Sequence, residues 1–472
     1  MGMTRRRFIG GALAGTAMAG LPGALGPALA DPGPAGSVRR GPGSLPHPFR
    51  PAGAPDPAMP FDHLVVVMME NHSFDNYFGV LAHSGQPEAD GFRFDPRGRP
   101  TNANPGASGP VPAFHLSTLC PGEGVSQSWD VTHRSIAGGR MDGFVTANGN
   151  DQTMGYWNAA DLPFYYSLAS TFSLANRWFS SAPCQTYPNR RFLMAGTAYG
   201  NIATSYASIF DPPPPNGTIF DRLSAHGITW ANYFVDLPQT AIIPSIIEKH
   251  PLNLAPVAAF HLACALGTLP AVSFVDPEFG TTSDVGNPLM NVPALKALGA
   301  RLGAQGGSEE DPQDIRYGEA FVASIVDSVM RSSAWARTVL VLTWDEHGGY
   351  YDHVAPPAAI APDSIAPQLA PGDQPGGYDL YGPRVPAVVV SPYARLHSVT
   401  DAVHDHTSVL ATIEAKWNLP ALTYRDANAA TVMDFLDTSH AAFAVPPALV
   451  PAANPLPGAL SCSATFAPPR SP

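Results

Sequence analysis

The chain has 472 residues and a formal net charge of −12, and 45% of its residues are hydrophobic, which is an ordinary fraction for a globular protein. Its acidity excludes an electrostatic surface for nucleic acid and disfavours binding to strongly anionic lipid surfaces. The length allows one large domain or two small ones.

Residues 1–30 have the features of an export signal. Residues 4–9 read TRRRFI, a twin-arginine pattern, a weakly apolar segment follows, and residues 28–30 form a small-residue cleavage site. The alternative is a transmembrane anchor, but the segment is short and rich in glycine and alanine. We therefore expect the twin-arginine export machinery as a partner and a periplasmic, cell-wall-associated or secreted protein. Cleavage would remove three arginines and no acidic residue, which takes the net charge from −12 to −15.

Composition divides the rest of the chain. Residues 31–60 are rich in proline and glycine and are expected to form a linker or an arm lying on the surface. Residues 61–440 are expected to form the catalytic domain, followed by a Pro/Ala-rich tail at 441–472. In an exported chain, four cysteines allow one or two disulfides, and three pairings use all of them: Cys120, Cys184, Cys264 and Cys462.

The first chemical signal is the end of an apolar run. Leu64–Met69 is typical of a strand buried on both faces, and it stops at Glu70 and Asn71. In open α/β sheets, ligands bind just beyond the carboxyl ends of the strands. A carboxylate and an amide oxygen there suit a hard divalent cation. The alternative is a polar turn in which Asn71 or Ser73 caps a helix.

A second run repeats this pattern far along the chain. Val339–Trp344 is apolar and is followed directly by Asp345, Glu346 and His347. Two buried strands that end in acidic residues can place their carboxylates around one ion.

The two stretches resemble the bacterial phosphoesterase family that contains non-haemolytic-type phospholipases C and related acid phosphatases. The family carries Glu-Asn-(Arg/His)-Ser-Phe-Asp after its first strand, as at 70–75, and Asp-Glu-His-Gly-Gly-(Phe/Tyr)-Tyr-Asp-His late in the chain, as at 345–353. The resemblance covers roughly residues 61–436. It implies a three-layer α/β/α sandwich of alkaline-phosphatase-like type, whereas the alternation of helical and strand patterns by itself predicts only the α/β class.

The resemblance also implies a divalent metal ion, namely calcium, manganese, magnesium or zinc. The implied ligands are Glu70, Asn71, Thr186, Asp345 and Glu346.

Thr186 precedes Pro188-Asn189-Arg190, and a helix is expected to begin near this proline. A threonine in this place is ordinarily an N-cap. The resemblance instead implies a nucleophile activated by the metal, with the helix N-terminus helping to hold phosphate. Asn189 and Arg190 would contact the substrate, although Arg190 can equally form a structural ion pair.

Three histidines complete the implied site. His133 can protonate a leaving oxygen or bind a phosphoryl oxygen, and its alternative is a hydrogen-bonded structural histidine. The resemblance implies that His353 is also catalytic and that His347 contacts the substrate. His406 is expected to be a helix-cap residue or to lie behind the site.

One segment departs from the family pattern. Relatives commonly have Asp-Glu-His-Pro-Pro where this chain has residues 308–312, so Asp311 replaces a histidine of their site. Asp276 and Asp284 are candidates to compensate. The residues at 355–380 are expected to form a loop over the site.

The sequence therefore predicts an exported, metal-dependent hydrolase of phosphoric esters. The expected activity is that of a phospholipase C, which releases diacylglycerol and a phosphorylated headgroup through a covalent phospho-threonine. The alternatives are an acid phosphatase acting on soluble monoesters and an inactive binding protein on the same fold. The partners are a phospholipid or a small phosphate ester, with at most transient contact with a membrane surface and no nucleic acid.

Overall fold

The computed structural model describes residues 39–122, 125–279, 307 and 309–453. Their strands, in chain order, are β1 (His63–Met69), β2 (Ala103–Gly106), β3 (Gly109–Pro112), β4 (Phe114–His115), β5 (Gly155–Tyr156), β6 (Ser173–Ala175), β7 (Trp230–Phe234), β8 (Leu254–Pro256), β9 (Val272–Asp276), β10 (Thr338–Trp344), β11 (Ala387–Val390) and β12 (Val399–Thr400).

The α-helices of these residues lie between and after the strands. They are α1 (Phe74–Phe78), α2 (Trp129–Ile136), α3 (Phe144–Asn148), α4 (Pro163–Thr171), α5 (Thr186–Ala195), α6 (Ile219–Ala225), α7 (Pro244–Lys249), α8 (Val257–Leu266), α9 (Ile315–Arg331), α10 (Thr407–Trp417) and α11 (Tyr424–Ala427).

Eight of the described strands form one mixed sheet in the order β12-β6-β11-β10-β1-β9-β7-β8. At its centre β1 runs parallel to both β9 and β10, and the register places Met69 opposite Trp344. Strand β11 is antiparallel to β10 and to β6. The carboxyl ends of β1, β9, β7 and β10 therefore share one edge of the sheet.

The central strands are covered on both faces. Every residue of β10 is buried, as is every residue of β1 from Leu64 onward, which is the burial of a sheet packed between two layers. Helix α9 has one buried apolar side, which includes Phe321, Ile325 and Val329. The predicted α/β class with a large central sheet is confirmed.

One predicted element boundary is wrong. Apolar and aromatic residues recur at helical spacing over 162–179, which predicts one helix, but the helix ends at Thr171 and Phe172 is extended. Ser173 and Leu174 pair with β11 in strand β6, so a tertiary contact with a distant strand overrides local helical periodicity. The helix expected near Pro188 begins at Thr186.

Part of the predicted linker packs on the domain. The Asn418 amide nitrogen donates hydrogen bonds to the carbonyl oxygens of His47, Arg50 and Pro51 at 3.1, 2.9 and 3.0 Å. The described part of the tail also packs, since the Val450 backbone N–H donates to Ser167 Oγ at 3.0 Å.

The structure also bears on the predictions about the cysteines and about membrane-spanning helices. Cys120 is disulfide-bonded, and Cys184 and Cys264 are free thiols. The export signal, Asp284 and Cys462 lie outside the described residues. Within the described part of the chain, no helix combines the length and the hydrophobicity needed to span a membrane.

Candidate active site

The acidic residues that follow β1 and β10 meet at one edge of the sheet, because these strands are parallel neighbours. The backbone N–H of Asn71 donates to Asp345 Oδ1 at 3.1 Å, and that of Glu346 donates to the same oxygen at 2.7 Å. The backbone N–H of Asp345 donates to the Met69 carbonyl at 3.1 Å. The two strand ends are thus joined through the Asp345 side chain and backbone.

Arg190 fixes helix α5 over these strand ends. Its Nε donates to Asp345 Oδ2 at 3.2 Å, its Nη2 lies 3.6 Å from Glu70 Oε1, and the same nitrogen donates to the Met69 carbonyl at 3.1 Å. The arginine is only 2% exposed. A buried charge of this kind is stable only while its partners remain, so Arg190 holds the site together as well as lining it.

Thr186 is the first residue of α5 rather than its N-cap. The N-cap is Gln185, and no side chain caps this helix. Thr186 is 9% exposed, and its hydroxyl lies 3.5 Å from Asn71 Oδ1. The interpretation of Thr186 as a capping threonine is therefore wrong, and the hydroxyl opens towards the strand-end residues.

A cavity of about 90 Å³ lies in front of this group. Its wall combines polar residues of the strand ends and of α5 with a mainly apolar segment; the lining residues are Glu70, Thr186, Tyr187, Arg190, Thr204, Leu237, Pro238, Gln239, Ala241, Ile242, Phe279 and Glu310. The cavity places a hydroxyl, a carboxylate and a guanidinium within reach of one small ligand.

The strand-end group consists of Glu70, Asp345 and Glu346 with Arg190, and it buries more acidic than basic side chains. Burial raises the pKa of Glu70 and of Glu346, and neighbouring carboxylates raise both further. Burial also raises the pKa of Asp345, although Arg190 opposes this. Among the described residues, Glu70 Oε2 and Glu346 Oε1 are buried without a hydrogen-bond partner. In this part of the chain three carboxylates face one guanidinium, which is a formal excess of two negative charges when all three are ionised.

Asn189 and His347 are predicted to contact the substrate, but the structure gives both of them contacts with protein groups. The Asn189 amide nitrogen donates to the Cys184 carbonyl at 2.7 Å, and its Oδ1 accepts from the Ala182 backbone N–H at 3.1 Å. Asn189 therefore shapes the loop that leads into α5. His347 is buried with its Nδ1 3.3 Å from Glu346 Oε2, and burial lowers its pKa to about 3. Burial thus favours the neutral form of His347, and the ring lies beside Glu346.

His133 lies on α2 and is not joined by any described contact to the acidic group. Its Nδ1 donates to the Trp129 carbonyl at 2.8 Å, which leaves Nε2 directed towards Gly376 of the 355–380 loop. Burial lowers the pKa of His133. The ring is thus a neutral imidazole beside the loop that was expected to cover the site.

His353 belongs to a separate ionic network. Its Nδ1 donates to Asp75 Oδ2 at 2.7 Å, and its Nε2 lies 3.4 Å from Asp90 Oδ1. Burial lowers the pKa of His353, but Asp75 and Asp90 override this and raise it to about 10. The fully buried Arg384 binds Asp75 and Asp352 at 3.2 and 2.9 Å.

One atom from each of Asp75, Asp352 and His353 lies within 4.8 Å of the others, as in a cation site. The guanidinium of Arg384 and the imidazolium of His353 already balance these carboxylates, however. We therefore do not assign the cation to this network and look for it at the strand ends.

His406 lies behind the site, as expected. Its Nε2 donates to the Asp345 carbonyl at 2.7 Å, which supports the turn after β10.

The segment that departs from the family pattern contributes a different residue than expected. The Tyr350 hydroxyl donates to Asp311 Oδ2 at 2.7 Å, and burial raises the Asp311 pKa to about 8. Its neighbour Glu310 lines the cavity instead. Asp276 does not line the cavity, and its two oxygens accept hydrogen bonds from Asn232 and Gln239.

Sequence reasoning missed the wall formed by Leu237–Ile242 and the contribution of Phe279. No motif marks them. The available signal was positional, since residues 237–242 follow the carboxyl end of β7 as Glu70 follows β1.

Comparison with known proteins shows which proteins the chain resembles. The Phosphoesterase family matches residues 61–420. The chain is 28% identical to Non-specific phospholipase C6 of Arabidopsis thaliana, over 79% of this chain and 72% of the relative. It is also 28% identical to Phospholipase C B of Mycobacterium tuberculosis, over 94% of this chain and 87% of the relative.

A solved structure, a protein in the alkaline phosphatase superfamily from Vibrio parahaemolyticus, aligns with a TM-score of 0.36 and 11% identity, over 74% of this chain and 77% of that chain. The family match spans well over half of the sequence and includes both strand-end motifs. The resemblance predicted from these motifs is confirmed: the chain belongs to the phosphoesterase family.

Proposed function

We propose that the protein is an exported, metal-dependent phospholipase C, which cleaves glycerophospholipids into diacylglycerol and a phosphorylated headgroup. The observation that carries the proposal is the Thr186 hydroxyl, which opens onto the same cavity as Glu70 and Arg190. Membership of the phosphoesterase family makes the chain a hydrolase of phosphoric esters. The choice of a phospholipid is supported by relatives that carry the name phospholipase C.

The strand-end residues fit a divalent cation. Their donors are oxygens, and within the described ranges two buried carboxylate oxygens have no hydrogen-bond partner and the ionised carboxylates outnumber the guanidinium by two charges. The residues that would hold the ion are Glu70, Asn71, Thr186, Asp345 and Glu346. When bound, the ion would lower the pKa of the Thr186 hydroxyl and stabilise charge on the phosphoryl oxygens.

Removal of one ligand tests this assignment. Glu70→Gln keeps the shape of the side chain and should lose bound metal and activity while remaining folded. Glu309→Gln is the matched control, because Glu309 is also buried but bonds to Tyr165 and Trp344 and does not line the cavity. Normal metal content of the Glu70 variant by mass spectrometry would remove Glu70 from the ligand set.

Thr186 acts as the nucleophile in the proposed reaction. Its hydroxyl releases its proton to solvent and attacks phosphorus, the bond from phosphorus to the glycerol oxygen breaks, and phospho-Thr186 forms while diacylglycerol departs with a proton taken from the enzyme. Water then attacks the same phosphorus, releases the phosphorylated headgroup and restores the hydroxyl. Arg190, which lines the cavity, would orient the phosphoryl oxygens.

The proton for the leaving oxygen comes from His133 or His353. The structure gives these histidines opposite properties, since the pKa of His133 is lowered and that of His353 is raised to about 10. At neutral pH, His353 therefore carries a proton and His133 is mainly neutral.

Product analysis tests the function directly. Purified protein is incubated with phosphatidylcholine and, separately, with a chromogenic phosphomonoester, each with and without a chelator. Release of diacylglycerol that the chelator abolishes supports the proposal. Turnover of the monoester alone would favour the acid phosphatase, and no turnover of either would favour the inactive binding protein.

We also propose that residues 1–30 direct export by the twin-arginine pathway and that residues 61–440 form the catalytic domain. Replacing Arg5 and Arg6 together with lysine should retain the precursor in the cytoplasm. Unchanged export of that double variant would contradict the assignment.

A further inference from the structure

The cavity in front of Thr186 has two unlike walls. One carries the reactive polar groups, and the other is the segment Leu237–Ile242. Within this segment Leu237, Ala241 and Ile242 are only 8, 6 and 6% exposed, and they line the cavity. The segment contains no charged residue. It therefore offers apolar surface to whatever occupies the space beside the nucleophile.

A buried polar network holds this wall in place. Asp276, the last residue of β9, accepts hydrogen bonds from the Gln239 backbone N–H at 2.7 Å and from the Gln239 side-chain nitrogen at 2.6 Å. It also accepts from Asn232 Nδ2 at 2.6 Å, and Thr240 Oγ1 donates to Asn232 Oδ1 at 2.8 Å. The donor groups of Gln239 and Thr240 are thus bound to strands β7 and β9, and the wall is anchored rather than mobile.

The size of the cavity limits what it can hold. Its volume of about 90 Å³ is well below the roughly 300–1,000 Å³ of pockets that enclose a drug-sized ligand. The cavity can contain the groups next to the phosphorus, but long acyl chains must extend beyond it.

We propose that Leu237–Ile242 is the subsite for the diacylglycerol side of the substrate, and that it contacts the glycerol carbons and the first atoms of the acyl chains. This inference rests on the phospholipase C function proposed above. The charged headgroup remains on phosphorus during attack, so the uncharged leaving group is the part whose chemistry matches this wall. The subsite would favour an acylated glycerol over a free one.

The chain provides a matched control in the next residue. Ile243 is buried like Ile242 but lines a different cavity, of about 250 Å³, together with Tyr199 and Phe210. Ile242→Ala and Ile243→Ala remove the same atoms from adjacent positions. Only the first shortens the wall beside Thr186.

The experiment measures kcat/KM for dibutyryl phosphatidylcholine and for glycerophosphocholine, both below any aggregation threshold. The two substrates share the phosphodiester and the headgroup and differ in the acyl groups. We expect the wild type to prefer the acylated substrate and Ile242→Ala to lower that preference by about tenfold, as loss of apolar contact in a pocket does. Ile243→Ala should leave the preference within about twofold.

Melting temperatures of both variants and the additional variant Leu237→Ala keep the test informative if one protein is unstable. Release of diacylglycerol with a preference that neither Ile242→Ala nor Leu237→Ala changes would overturn the subsite alone. Absence of diacylglycerol release by the wild type would overturn the phospholipase C function together with it. An equal loss of preference in Ile243→Ala would show a general packing effect and also overturn the subsite.

Discussion

At the scale of single residues, Thr186 combines a position at the start of α5 with a hydroxyl that caps nothing. Thr186→Ala should therefore cost less stability than the roughly 1 kcal/mol of a lost N-cap. It should nevertheless lower kcat by at least about three orders of magnitude, as removal of a nucleophile does elsewhere. Thr186→Ser keeps a hydroxyl and should retain partial activity. Steady-state kinetics and thermal unfolding of the variants check both parts.

Two further measurements separate the chemical role from a structural one. Thr197→Ala, just beyond the other end of α5, removes a hydroxyl that accepts from the Tyr199 backbone N–H, and it should keep activity within about twofold. A chiral phosphorothioate substrate should react with net retention at phosphorus, because two in-line displacements occur. Inversion would mean direct attack by water and would rule out phospho-Thr186.

His353 gives a prediction about pH and stability. Its folded-state pKa is about 10, above the ordinary 6.5, because Asp75 and Asp90 face the ring. The stabilisation is therefore complete below pH 6.5 and is lost as pH rises towards 10. The difference in unfolding free energy between wild type and His353→Gln should be about 4 kcal/mol larger at pH 6 than at pH 10, because the pKa rises from 6.5 to about 10 and each pKa unit corresponds to ~1.4 kcal/mol.

Denaturant titrations at the two pH values measure that difference. His397→Gln is a suitable control, because this exposed histidine bonds to the Ser170 carbonyl rather than to a carboxylate. A difference that is independent of pH would show that folding does not change the pKa of His353 and would contradict the prediction.

At the scale of elements, the turn after β10 crosses the chain after β1 where only glycine fits. A Cβ on Gly348 would lie 1.8 Å from the Asn71 carbonyl oxygen, and Gly348 has a φ of +64°. Gly348→Ala should push the strand-end residues apart, lower stability by at least about 3 kcal/mol and abolish activity. Denaturant unfolding and activity assays check this.

Substitution of Gly149 is the control that separates the effect of a steric clash from the effect of a left-handed backbone. It has the same φ of +64°, but a Cβ there would meet no atom within 4 Å. Gly149→Ala should cost only the ~1–2 kcal/mol of a left-handed backbone and keep activity. Equal effects of the two substitutions would mean that the close approach to Asn71 is unimportant.

At the scale of the whole molecule, the net charge of the protein is expected to decide which lipid surface it prefers. The chain carries −12, and removal of residues 1–30 would remove three arginines and take it to −15. We expect faster hydrolysis of phosphatidylcholine than of phosphatidylglycerol in matched mixed micelles, because anionic surfaces repel the enzyme.

Salt provides the control for this charge effect. At about 1 M salt the Debye length falls to ~3 Å, so the preference should shrink there. A preference for phosphatidylglycerol, or one that salt does not change, would show that contacts in the cavity outweigh the overall charge.

The sequence by itself determined the features that are local along the chain. Apolar runs located β1 and β10, and the acidic residues directly after them located the strand-end group, because a buried strand must end where charged side chains begin. The motif at 345–353 indicated the family, which the match over residues 61–420 confirms. These inferences need no knowledge of which strands are neighbours.

Tertiary structure decided what depends on strand order and on contacts between distant residues. It places Thr186 beside Asn71, 115 positions earlier, and pairs His353 with Asp75, 278 positions earlier. It also directs Asp311 towards Tyr350 and brings the apolar wall at 237–242 to the nucleophile. Local patterns do not encode these contacts, because each depends on the order and register in which the strands of the sheet pair.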